Sequence, residues 1–186
     1  MKVSIGVSNH HVHLTKEDYY ELFGTYEIEN IKDLVQTGEF ASDSKVKIKT
    51  DKSEISGLRV LGPFRNYTQV EISRTDSYAL GINPPVRTSG DITGSETVTI
   101  EGPCGSIVRE CCILANRHIH INPRVRKEKG LYNLDIVSVK VGGEKSSVLN
   151  DVYIKETENG VFEMHLDTDD ANACLLKNGD EGEIII

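Results

Sequence analysis

Two His-X-His pairs constrain this chain more than anything else in it: His11-Val12-His13 and His118-Ile119-His120. In an extended strand successive side chains alternate faces, so both histidines of a pair point the same way, roughly 6.6–6.8 Å apart at the backbone. Imidazoles reaching in from that spacing can close on one ion, because Zn–N bonds are only about 2.0–2.1 Å. Val12 and Ile119 then face the other side and pack. The alternative is a strand that carries histidines on its wet face. Two pairs in near-identical settings, Ser8-Asn9-His10-His11-Val12-His13-Leu14-Thr15 and Asn116-Arg117-His118-Ile119-His120-Ile121-Asn122-Pro123, use four of only six histidines. They favour a metal site, and two of them.

The surroundings of the pairs repeat as well. Residues 3–7 alternate as a strand and lead into the first pair. Residues 15–24 then read as a short helix, with Thr15 as N-cap, Glu17 and Asp18 in the first turn, and Gly24 as the stop. Leu14 before the cap can pack on Tyr19 as a hydrophobic staple. After the second pair, Asn122 caps, Pro123 takes the first helical position and Gly130 ends the segment. Strand, histidine pair and capped helix thus occur twice, which suggests an internal duplication in two consecutive halves.

Residues 25–44 are mixed and polar and read as a connection over the surface. Beyond them the chain turns strand-rich, with short alternating runs at 45–49, 57–61, 97–100, 136–141, 152–154 and 182–186, separated by glycine-rich turns such as Gly102-Pro103-Cys104-Gly105 and Gly142-Gly143. Many short strands at this spacing indicate small barrels or a sandwich. Asn83-Pro84-Pro85-Val86-Arg87 reads as a rigid turn or extended segment. Two further stretches resemble each other, 70–76 and 162–169, each a strand feeding a Thr-Asp helix start. Aligning Thr75-Asp76 with Thr168-Asp169 leaves Glu71 one position out of register and His165 beside Ile72, which makes Glu71 and His165 loosely aligned counterparts. Each half would then supply a His-X-His pair and one more donor. Three protein ligands with an open position are the pattern of a catalytic metal.

Composition excludes several classes. The chain has 186 residues, enough for one domain or two small ones with a real core, and its 38% hydrophobic and 27% charged content is ordinary for a globular protein. No stretch is long and apolar enough for a signal peptide or a membrane span. The net charge of −8 argues against nucleic acid held by overall basicity, though a local arginine cluster suffices for a small anion. The four cysteines show no Cys-X-X-Cys spacing; Cys111 and Cys112 fall in the apolar stretch 107–115 and read as buried small hydrophobes in a reducing cytoplasm. Arg59 and Arg65 bracket Val60-Leu61-Gly62-Pro63-Phe64, and a guanidinium can grip phosphate with two parallel donors.

With these residues assembled, the sequence resembles the metal-dependent phosphotransacylase family. The matching motifs are Gly6-Val7-Ser8-Asn9-His10-His11-Val12-His13-Leu14, Arg59-Val60-Leu61-Gly62-Pro63, Gln69-Val70-Glu71-Ile72-Ser73-Arg74-Thr75-Asp76, Leu80-Gly81-Ile82-Asn83-Pro84-Pro85-Val86-Arg87, Ala115-Asn116-Arg117-His118-Ile119-His120 and Glu163-Met164-His165-Leu166-Asp167-Thr168-Asp169. They cover nearly the whole chain. The resemblance implies a mainly β fold of two small β-barrels capped by short α-helices, with the active site between them. It also makes the barrels interleaved: residues 1–8 with 116–186 in one, 41–108 in the other, and 9–40 and 109–115 as helix and connections. By the same resemblance, His11, His13 and Glu71 hold one zinc and His118, His120 and His165 the other. Arg65 holds phosphate, and coenzyme A lies against Val7, Ser8, Asn9, Lys52, Arg59 and Asn172. The sequence departs from the family at His10, where arginine is usual, and at residues 101–112. No targeting extension precedes Val3, which favours free cytoplasm over a microcompartment lumen. A homodimer is the family's habit.

The activity implied is reversible transfer of a short acyl group, propanoyl or acetyl, between coenzyme A and inorganic phosphate. Zinc-polarised thioester and Arg65-held phosphate would meet in one complex, with no protein nucleophile. A two-metal thioester or phosphoester hydrolase shares the ligand set but uses water. A non-catalytic metal-binding or coenzyme A-sensing module predicts binding without turnover.

Overall fold

The computed structural model describes all 186 residues. The alternating run at the amino terminus forms β1 (Lys2–Ser8), and the first histidine pair is a separate short strand, β2 (His11–His13). Helix α1 (Lys16–Phe23) follows, then β3 (Asn30–Asp33), β4 (Phe40–Lys49), β5 (Glu54–Gly62) and β6 (Gln69–Glu71). Helix α2 (Arg74–Leu80) leads to β7 (Val86–Arg87), β8 (Glu96–Glu101) and β9 (Ser106–Ala115). The second histidine pair opens β10 (His118–Ile121), followed by α3 (Pro123–Glu128), β11 (Ile136–Val141), β12 (Ser147–Glu156), β13 (Glu163–Asp167), α4 (Thr168–Ala173) and β14 (Glu181–Ile185).

These elements fall into two compact units, Met1–Asn9 with Asn116–Ile186, and His10–Ala115. In the first, six strands close a barrel in the order β1-β13-β10-β12-β11-β14. Its interior is filled by Ile5, Ile119, Ile121, Val139, Val152 and Met164, all fully buried. In the second, β4-β5-β2-β6-β9-β8 runs in sequence and β8 pairs back onto β4, which closes another six-stranded ring; β3 lies outside β4 and β7 outside β9. Val12, Leu22, Ile48, Val60, Val70 and Ile100 occupy that core. Both rings are mainly β with short helices, as the resemblance implies. The central unit takes in more than residues 41–108, and topology gives the reason: β2 lies between β5 and β6, so the ring is open without it.

Each helix begins on a side-chain cap. Thr15 Oγ1 accepts from Asp18 N at 3.0 Å, and Gly24, at φ 71°, closes α1 by donating its N–H to Tyr20 O. Leu14 and Tyr19 are buried in one cluster, the packing expected of the staple. Asn122 caps α3 with Pro123 behind it. The Thr-Asp starts need correction. The caps are Ser73, in a reciprocal box with Asp76, and Asp167, which accepts from Asp170 N; Thr75 and Thr168 lie inside the helices. Aligned cap on cap, Glu71 and His165 each stand two residues upstream, in full register.

Residues 25–44 are also more ordered than a surface connection. They contain β3 and the start of β4, where Ser42 Oγ donates to Val60 O at 2.8 Å. All four residues of β3 are exposed, so no period-two burial pattern marks it. The segment at 83–87 is extended, and β7 pairs with β9 in parallel.

Burial predicts where truncation hurts. Ile119, fully buried in the barrel core on the face opposite its two flanking histidines, should cost about 2–5 kcal/mol as Ile119→Ala. Ile31→Ala, on the exposed face of β3, should stay within about 0.5 kcal/mol. Urea unfolding midpoints of the two variants check the difference.

Candidate metal centres

The period-two rule places His11 and His13 on one face of β2, and sheet register decides what meets them. β2 pairs antiparallel with β6, setting His11 opposite Glu71 and His13 opposite Gln69. β10 pairs antiparallel with β13, setting His118 opposite His165 and His120 opposite Glu163. Cross-strand neighbours share a face and approach to about 4.5–5.5 Å at Cβ. Two three-donor clusters result, His11/His13/Glu71 and His118/His120/His165, each with its ligand atoms within 4.8 Å of one another.

The geometry inside each cluster suits a divalent cation. Nε2 of His118 and His120 lie 3.1 Å apart, and His11 Nε2 lies 3.6 Å from Glu71 Oε2. Two ligands at about 2.05 Å and a tetrahedral angle sit about 3.3 Å apart, between those values. Five of the six donors are buried, and His165 is partly exposed. Burying a carboxylate among imidazoles is costly unless positive charge compensates it. Imidazole and carboxylate are the donors that zinc and other borderline divalent metals accept.

Neighbours hold these donors in orientation. Asn116 O accepts from His118 Nδ1 at 2.8 Å, which fixes the proton there and leaves the Nε2 lone pair facing His120. Gln69 Nε2 donates to Glu71 Oε1 at 2.6 Å and lies 3.0 Å from Ser89 Oγ, and Gln69 Oε1 accepts from Gly90 N at 2.8 Å. His165 Nε2 donates to Glu163 Oε2 at 2.8 Å. Gln69 and Glu163 escaped sequence reasoning, although each stands two residues before a proposed donor and therefore shares its face.

A second pair of contacts ties each histidine strand to a helix. Arg117, just before His118, grips Asp170 in α4 with Nε at 2.8 Å and Nη2 at 2.7 Å. His10, just before His11, donates from Nδ1 to Asp76 in α2 at 3.1 Å. Burial pushes Asp76 up, but hydrogen bonds from His10 and Ser73 outweigh it and hold the carboxyl below its ordinary value. The Asp170 hydrogen bond holds Arg117 above its ordinary value. His10 thus occupies, in its barrel, the place that Arg117 occupies in the other.

The other residues that the sequence resemblance singles out divide between the units. Arg65 is anchored by its backbone N to Leu14 O, and its guanidinium meets Glu39 Oε1 at 2.6 Å and Tyr67 Oη at 3.0 Å. Arg59, beside His11 in the sheet, donates to Ser42 O at 2.6 Å. Lys52 lies over the end of α2, donating to Tyr78 O at 3.2 Å. Val7 N donates to Asn178 Oδ1, Ser8 pairs with Asp167, Asn9 follows β1, and Asn172 is exposed in α4.

Cys111, Cys112 and Cys174 are buried in the barrel cores and Cys104 is exposed. Burial pushes the Cys111 thiol up to about 12 and raises Cys112 as well. No helix is long and apolar enough to cross a membrane.

Fold and clusters together define a class: a duplicated, interleaved pair of small barrels, each carrying one three-donor metal-type cluster. A family model described as phosphate propanoyltransferase matches residues 4–177. Relatives named phosphate propanoyltransferase are 46% identical over 96% of this chain and 86% of their own length in Thermotoga maritima, 44% over 96% and 80% in Rhodopseudomonas palustris, and 40% over 99% and 88% in Limosilactobacillus reuteri. The chain belongs to the phosphate propanoyltransferase family, and it is an enzyme of the acyltransferase class.

Thiol burial carries a prediction. Iodoacetamide at pH 8 should label Cys104 alone in the native protein and all four cysteines after denaturation. Mass spectrometry of the digested protein checks this, and rapid native labelling of Cys111 would contradict it.

Proposed function

We propose that this chain transfers a short acyl group, propanoyl or acetyl, between coenzyme A and inorganic phosphate. The observation that carries the reading is the convergence of six donors from distant strands into two clusters, in a chain of this family. His11, His13 and Glu71 would hold one zinc ion, and His118, His120 and His165 a second. When bound, such ions supply Lewis-acid polarisation of a carbonyl oxygen and stabilise a departing thiolate.

The chain's own residues supply binding and orientation. Arg65 presents a planar fork of five N–H donors suited to two phosphate oxygens. Glu39 and Tyr67 fix the plane of that fork from two sides, so little rotamer freedom is left to lose when an anion docks. Val7, Ser8, Asn9, Lys52, Arg59 and Asn172 would line the coenzyme A side, with Lys52 and Arg59 as the cations for its phosphates. A phosphate oxygen forms a bond to the thioester carbon, the C–S bond breaks, and the electron pair leaves with sulfur as coenzyme A thiolate. The products are acyl phosphate and coenzyme A. Holding both reactants in one complex removes the need for a covalent enzyme intermediate, and the buried, proton-retaining Cys111 and Cys112 are unsuited to forming one.

Thioester consumption should therefore require phosphate and yield acyl phosphate in equal amount. Consumption at the same rate in phosphate-free buffer would mark a hydrolase instead. Arg65→Ala should raise the KM for phosphate by at least about tenfold, with a smaller effect on the KM for acyl-coenzyme A. Arg65→Lys should recover only part of the loss, because an ammonium keeps the charge and loses the fork. Steady-state kinetics with each substrate varied in turn separates these outcomes.

A further inference from the structure

The two clusters differ in their third donor, Glu71 against His165, and so look unequal in charge: one carboxylate in the first, none in the second. The register removes the inequality. Gln69 stands opposite His13, two residues before Glu71; Glu163 stands opposite His120, two residues before His165. These four residues are counterparts in the duplicated barrels. Their chemistry is exchanged: a carboxylate donor oriented by a neutral amide in one barrel, a neutral imidazole oriented by a carboxylate in the other.

We propose that Glu163 is a charge-matching positioning residue, giving the His118/His120/His165 cluster the single negative charge that Glu71 gives the other. Resting on the metal reading above, each cluster then offers a dication two neutral imidazoles of a His-X-His pair and one carboxylate charge, directly or through His165. Three observations support the role. Glu163 is buried, 8% exposed, although a glutamate on a barrel strand could turn to solvent. Its oxygen lies 2.8 Å from His165 Nε2, and because an ionised carboxylate only accepts, that nitrogen carries the proton and Nδ1 keeps the lone pair. Space is reserved for the contact: position 6, beside His165 on β1, is glycine, and a Cβ there would stand 3.0 Å from His165 Cδ2 and 3.1 Å from Glu163 Cδ. A hydrogen-bonded carboxylate behind a ligating imidazole raises its basicity, and losing such a partner typically costs about 10–100-fold in metal affinity.

The test uses the full chain loaded with zinc, dialysed against graded chelator, with metal per chain measured by elemental analysis. Cobalt-loaded protein gives the visible d–d spectrum in parallel. Glu163→Gln should release one ion of two at about 10–100-fold less chelator and perturb half of the cobalt spectrum, while the other ion serves as internal control for folding. The exchange should also run in reverse. Glu71→His alone should weaken the first cluster, and Gln69→Glu with Glu71→His should restore it by rebuilding the pattern of the second. The proposal is overturned if Glu163→Gln keeps both ions as tightly as the unmodified chain, or if the double variant binds no better than Glu71→His. An unmodified chain that retains no ion would instead defeat the metal reading itself.

Discussion

Register between short antiparallel strands is the constraint on which the rest of this structure depends. β2 contributes only three residues and β6 three, yet their pairing decides that His11 faces Glu71 and His13 faces Gln69. β10 and β13 do the same for His118 with His165 and His120 with Glu163. A slip of one residue in either pair would turn the donors into the core and expel Val12 or Ile119. The hydrophobic residues between the histidines therefore set the site as firmly as the histidines do. Both are completely buried, and each clamps its strand to the face that leaves the imidazoles together.

Around that register the chain adds ties that fix the ends of the paired strands. The carboxylate at the third position of the helix after each third-donor strand is gripped from the residue just before each histidine pair, by His10 on Asp76 and by Arg117 on Asp170. In each barrel a side-chain contact thereby links the histidine strand to the helix that follows the third-donor strand. The bidentate arginine makes the stronger version, since two charge-assisted bonds in one plane fix angle as well as distance. The shared arrangement in both barrels accounts for the repeated caps, Ser73 and Asp167, more directly than any resemblance among the threonines that follow them.

Much of this was legible in the sequence because strand periodicity is a local signal. His-X-His announces a shared face without reference to any partner, and Thr15, Gly24 and Asn122 announce helix ends by their own chemistry. Other features were not legible from the residues themselves. Residues 25–44 hide β3, whose side chains are all exposed and so carry no alternation. The repeat by itself suggested consecutive halves, whereas β1 belongs with the carboxy-terminal strands through its parallel pairing with β13, which sets Ser4 beside Glu163. Long-range pairing leaves no local trace, and the family resemblance, not periodicity, pointed to it. Gln69 and Glu163 had a signal, the same two-residue spacing as the histidines, but their role appears only once register shows what they face. The Glu39–Arg65 pair had none, since nothing near Glu39 distinguishes it from an exposed turn glutamate.

The proposed coordination shell consists of the six imidazole and carboxylate groups that strand register brings together. X-ray absorption at the zinc edge of the purified, metal-loaded protein tests it most directly. The expected result is a single shell of nitrogen and oxygen at about 2.0–2.1 Å with the outer-shell pattern of imidazole rings, and no sulfur. A sulfur shell at about 2.3 Å would place cysteines on the metal and contradict it.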